Sequence, residues 1–96
     1  MAASAAALVA DDTALLDALA AQPLSDDGLT HACRLVMRYE FTPQRELAER
    51  AQAQLEAWGL SRKEAFQRAR KLWFSGFRPA GVSEILSSGS GADSAA

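Results

Sequence analysis

The sequence predicts an all-α protein, a compact three- to four-helix bundle, and three observations carry that prediction. Alanine and leucine dominate the apolar residues, with 21 and 12 copies, and both are strong helix formers. Valine and isoleucine, which strands favour, are confined to Val9, Val36, Val82 and Ile85. Apolar residues recur at three- and four-residue spacing through the middle of the chain, which is the helical period. A length of 96 residues holds one small domain. Residues 1–9 read as an alanine-rich flexible arm and 10–86 as the helical domain. Residues 87–96 (SSGSGADSAA) read as a disordered tail with nothing to bury.

The first helix is expected from Asp11 or Asp12 to Gln22, with Asp12 as N-cap. Leu8, Leu15 and Leu19 share a face, and Pro23 ends the segment. The second starts at Ser25 or Asp26 and runs to Tyr39 or Glu40. Its stripe of Leu29, Ala32, Cys33, Val36 and Met37, widened by Leu35 and Tyr39, covers more than half the circumference, so this helix belongs in the centre. Asp27, His31, Arg34 and Arg38 form its polar face.

Thr42 as N-cap and Pro43 at the first helical position open the third helix. Leu47, Ala48, Ala51, Leu55 and Trp58 make one stripe, Glu46 and Arg50 form an i,i+4 pair, and Gly59 suits a positive-φ end. The fourth helix opens on the capping box Ser61-Arg62-Lys63-Glu64. It buries Ala65, Phe66, Ala69, Leu72 and Trp73, and ends at Gly76 before Pro79. Val82, Ile85 and Leu86 are placed in a last turn folded back on the core. The expected large core residues are Leu15, Leu19, Leu29, Val36, Met37, Leu47, Leu55, Trp58, Leu60, Phe66, Leu72 and Trp73.

Charge is distributed unevenly behind a net of −2. Residues 1–30 carry Asp11, Asp12, Asp17, Asp26 and Asp27 and no cation. Residues 61–80 carry Arg62, Lys63, Arg68, Arg70, Lys71 and Arg78 against Glu64 alone. The simplest use of this dipole is internal, with the two ends packed together; a charged partner is the alternative. The longest apolar run is too short to span a bilayer. The N-terminus lacks the basic region of a secretory signal, and the lone Cys33 suits a reducing, cytoplasmic location.

Chemistry has few residues to work with. Asp27 and His31 lie one turn apart and could orient a general base, but no nucleophile shares their face, and a solvated helix face is the simpler reading. Cys33 and His31 point in different directions, and no spacing matches a zinc or calcium site. The glycines of the tail precede no helix that could hold phosphate. No enzyme, no cofactor, no metal and no small-molecule substrate are expected.

The informative segment is Arg70-Lys71-Leu72-Trp73-Phe74-Ser75-Gly76-Phe77-Arg78-Pro79. Leu72 and Trp73 fall in the apolar stripe, whereas Phe74 lies on the opposite, basic half and Phe77 projects past the helix end beside Arg78. Either the C-terminal turn covers the two phenylalanines, or they form an aromatic–basic docking surface. On the second reading Lys63, Arg70, Phe74, Phe77 and Arg78 bind another protein, a second copy included, with Lys63 steering an acidic partner. The alternative function is a helix-turn-helix-like nucleic-acid module using the basic face of the fourth helix. The acidic pI and the acidic first thirty residues oppose it.

The features Arg38-Tyr39 with Phe41, Leu55-Glu56-Ala57-Trp58-Gly59-Leu60, and Ala69 to Trp73 continuing into Ser75-Gly76-Phe77-Arg78-Pro79 resemble a group of short conserved proteins of unknown function found in cyanobacteria. The resemblance covers residues 35–79, about half the chain, with the alanine-rich ends departing from it. It implies a cytoplasmic helical protein without assigned catalysis, and it supplies no active residues.

Overall fold

Four helices form in chain order: α1 (Ala5–Ala20), α2 (Asp26–Tyr39), α3 (Arg45–Ala57) and α4 (Arg62–Phe74). The computed structural model describes residues 5–81 and Ile85. There is no strand among them. Residues 1–4 of the expected arm, Val82 and Leu86 of the expected last turn, and the tail 87–96 lie outside the described residues. α2 and α3 pack on each other and each touches both remaining helices, while α1 and α4 share no contact. The bundle is therefore a central pair with one helix on each flank. Its core is Leu15, Leu16 and Leu19 of α1, Leu29, Leu35, Val36 and Tyr39 of α2, Leu47 and Leu55 of α3, then Leu60 and Ile85.

Local chemistry sets most of the boundaries. Ser25 accepts the Gly28 N–H at 3.0 Å and starts α2. Ser61 accepts the Glu64 N–H at 3.1 Å, and Glu64 returns the bond to the Ser61 N–H at 3.1 Å, completing the expected capping box. Held by that backbone donor, the Glu64 carboxyl stays below its ordinary pKa. Gly59 and Gly76 have φ of 83° and 98°. At both ends the following N–H reaches back five residues, Leu60 to Leu55 and Phe77 to Leu72, each at 3.0 Å.

Five expectations are corrected. α1 starts at Ala5 rather than at Asp11 or Asp12, because the alanine-rich stretch itself favours helix. Asp12 is no cap: it is buried two turns in, accepting from Arg38 at 2.9 Å and from the Tyr39 hydroxyl. α3 starts at Arg45, because Thr42 turns its hydroxyl back to the Tyr39 carbonyl at 2.9 Å and closes α2 instead. Met37 and Trp73 are exposed rather than core. Met37 lies on the outer side of α2, 67% exposed. Trp73 lies at the margin of α4, where Arg78 covers its ring. The Glu46–Arg50 pair does not form: Arg50 bonds Asp17 of α1 at 2.8 Å, and Arg45 pairs with Glu49.

The charge dipole meets internally in part. Asp26 and Asp27 open α2, which packs on α4: Asp26 shares a shallow cleft with Arg68 and Lys71, and Asp27 accepts the Ala80 N–H. Asp12 and Asp17 of α1, which does not touch α4, pair instead with Arg38 of α2 and Arg50 of α3.

Candidate functional site

α4 exposes most of its circumference because its inner side is small. Ala65 is buried, with Phe66, Ala69 and Leu72 packed beside it. Opposite them, Lys63, Gln67, Arg70 and Phe74 follow at spacings of four, three and four residues, all exposed. They form one stripe about 16 Å long at 1.5 Å per residue. Phe74 is 80% exposed. An aromatic ring in that position contributes nothing to the core.

The side chains of Lys63, Arg70 and the adjoining Lys71 have no hydrogen bond or ion pair among the described residues. Arg62, one position before the stripe, is held by Glu40 of α2 and lies over the Phe66 ring at 5.2 Å. That contact lowers the pKa of Glu40 and raises that of Arg62.

The structure brings three of the five expected site residues, Lys63, Arg70 and Phe74, onto one face. It sets Phe77 and Arg78 apart from them. Phe77 is half-buried past the helix end. Arg78 folds back with its guanidinium 3.4 Å from the centre of the Trp73 ring, and it donates to the Trp73 carbonyl at 3.0 Å and the Phe77 carbonyl at 2.7 Å. Trp73, half exposed, thereby joins the edge of the surface as a ring fixed by its own cation.

Asp27 and His31, weighed above as a general-base pair on a solvated face, hold backbone instead. The Ala80 N–H donates to Asp27 Oδ1 at 2.8 Å, and His31 Nε2 lies 2.6 Å from the Ala80 carbonyl oxygen. His31 is 4% exposed. The segment after α4 is thus clamped across α2 at both polar groups of one residue, and Ile85 is buried just beyond it. Cys33 is buried, and burial pushes its thiol up to about 11 despite the nearby Arg62. No group of three or more His, Cys, Asp or Glu side chains among the described residues is arranged to hold a metal ion. No helix among them is long and apolar enough to cross a membrane.

A family model described as a protein of unknown function (DUF3288) matches residues 6–90. The chain belongs to this family. The match runs well beyond residues 35–79, so α1 and the segment after α4 are part of the family pattern rather than departures from it. No curated protein and no solved structure matches the chain.

Sequence reasoning missed a second exposed apolar group, Met37 and Phe41. A signal was present. Arg34, three residues before Met37 and close to it on the helix surface, marks that side of α2 as one facing water.

Proposed function

We propose that this chain is a non-enzymatic helical module that binds an acidic protein through the outer face of α4. Phe74 carries the reading: a large ring, 80% exposed, in line with Arg70 and Lys63 and beside Lys71, cations whose side chains have no partner within the described residues. Phenylalanine and arginine are typical interface anchors, and unpaired cations around an apolar knob suit a partner with an apolar pocket and a carboxylate rim. Trp73 under Arg78 extends the apolar edge in a fixed orientation, which limits the ordering needed on binding. Of the ten carboxylates among the described residues, Asp12, Asp17, Asp27, Glu40, Glu49, Glu56 and Glu64 hold partners within the chain. A different acidic protein therefore suits this face better than a second copy.

The test is capture from a lysate of the source cells with the native chain and with Phe74→Ala and Arg70→Glu, followed by reconstitution of the captured protein in purified form. The expected result is one partner retained by the native chain, lost by both variants and released by salt, while each variant unfolds within about 1 kcal/mol of the native chain, as ordinary surface changes do. Equal retention by Phe74→Ala overturns the reading. A gel shift on DNA or RNA at low salt, where phosphate contacts are strongest, replaces it with the nucleic-acid alternative if retardation is seen and Lys63→Glu abolishes it.

A further inference from the structure

The chain leaves α4 through a short strap whose course is fixed from α2. Residues 77–81 form no helix or strand, yet their joints are held one after another. The Phe77 N–H bonds back to the Leu72 carbonyl at 3.0 Å. The Arg78 guanidinium lies over the Trp73 ring and donates to the Trp73 and Phe77 carbonyls. Pro79 has a locked φ and no N–H to give. Ala80 turns both of its backbone groups to α2, its N–H donating to Asp27 Oδ1 and its carbonyl accepting from His31 Nε2. Those two bonds cross to another helix, whereas the others are local to the end of α4.

We infer that Asp27 and His31 are positioning residues for the docking face of α4: by holding Ala80 they keep Arg78 on Trp73, so that partner binding is coupled to the docking of the strap. The binding half of this rests on the reading of α4 given above; the coupling of strap and ring rests on the contacts alone. Arg78 and Trp73 are both exposed, and a cation–π contact in water is weak. A long arginine side chain gives up much rotamer freedom to keep one pose, so the stack needs a fixed backbone beneath it. Ala80 is that fixed point, two residues on, with the stiff Pro79 between. Freed at Ala80, residues 78 and 79 keep only the bonds that the Arg78 side chain itself makes. Both clamp residues address backbone groups, so they set the course of the chain whatever side chain stands at position 80. His31 is buried and Asp27 half-buried, which shields the two bonds from competing water. With the strap docked, a partner meets the Trp73 ring in one orientation beside Phe74. With the strap released, binding must also order Trp73 and Arg78, and affinity falls. The coupling is reciprocal: a partner seated on Trp73 and Arg78 tightens the hold on Ala80. α2 thereby regulates a face to which it contributes no side chain.

Fluorescence of Trp73 tests the coupling without any partner. The chain has two tryptophans, so the full chain carrying Trp58→Phe leaves Trp73 as the only emitter, and Arg78→Ala in that background gives the signal of an uncovered ring. Acrylamide quenching is expected to rise in Asp27→Ala to the level of Arg78→Ala, with helical circular dichroism unchanged. It should return toward the native level in Asp27→Asn, which keeps an acceptor for the Ala80 N–H. His31→Phe removes the other bond and should act in the same direction as Asp27→Ala. Native-level quenching in Asp27→Ala overturns the inference, whatever that variant costs in stability. The purified partner captured on α4 supplies the second arm. Asp27→Ala is expected to weaken its binding about fivefold, the low end for coupled sites. Arg78→Ala should act by a similar factor, and the two together by no more than either alone. A partner lost by Phe74→Ala but indifferent to Asp27→Ala and Arg78→Ala overturns the inference and leaves the α4 reading standing. Raised quenching in Asp27→Ala with no partner retained by the native chain overturns the α4 reading and the binding half of the inference together.

Discussion

Replacing Asp27 by alanine should loosen the segment after α4 before it loosens the bundle. The Asp27 carboxylate accepts the Ala80 N–H at 2.8 Å, and His31 holds the carbonyl of the same residue. A hydrogen bond to a charged group contributes about 1.5–3 kcal/mol. Asp27 is half-buried, so the lower end, about 1.5 kcal/mol, applies, equivalent to roughly 6–12 °C in melting temperature for a small domain. Asp27→Asn keeps an acceptor and should lose about half as much. Ile85→Ala, which trims a buried side chain of the same segment, should destabilise by about 2 kcal/mol. The combination is the decisive measurement. If Asp27 and Ile85 fasten one strap, the second loss finds it already loose, and the double variant should fall about 1 kcal/mol short of the sum. Urea unfolding gives the energies, and hydrogen exchange at the Ala80 amide reports the strap directly, with protection lost in Asp27→Ala. Full additivity, or an Ala80 amide equally protected in Asp27→Ala, would refute the reasoning.

Three further outcomes are expected. Burial and the hydrogen bond to Asp12 hold the Tyr39 hydroxyl above the ordinary phenol pKa, so its stabilising contribution is complete below about pH 10 and is lost as pH rises through the higher folded value. Unfolding titrations should show a shallower alkaline decline in Tyr39→Phe than in the native chain; equal slopes would contradict this. Cys33, with its thiol near 11 and buried, should react with a disulfide reagent at neutral pH only as fast as the fold opens, measured as labelling rate against denaturant. Gly76→Ala meets no atom within 4 Å but keeps φ at 98°, so thermal melting should show a loss of about 1 kcal/mol from backbone strain alone.

The legible part of this fold was its local chemistry. Ser25, the Ser61–Glu64 box, Gly59 and Gly76 act on backbone groups within a few residues, so their roles can be read from spacing alone. The basic side of α4 and the outward position of Phe74 were legible for the same reason, since helical periodicity assigns a face without knowledge of the neighbours. The errors came from partners far apart in the chain. His31 reads as a solvated polar residue until Ala80, 49 positions later, covers it. Asp12 reads as a cap until Arg38 and Tyr39 arrive from α2. Met37 reads as core because the apolar arc of α2 is wide, and the packing of the other helices leaves its part of that arc open. The helical face of Trp73 assigns it to the core. Arg78, beyond the helix end, is what lets a large ring remain at the surface.

The separation of α1 from α4 makes the two outer rods mechanically independent, each bolted to the middle pair by its own set of fasteners. Residues on the far side of one can be exchanged without disturbing the seating of the other. Redesigning the stripe from Lys63 to Phe74 for a new target should therefore leave the grip of Asp12 and Asp17 intact, making the last rod a replaceable blade on a fixed handle.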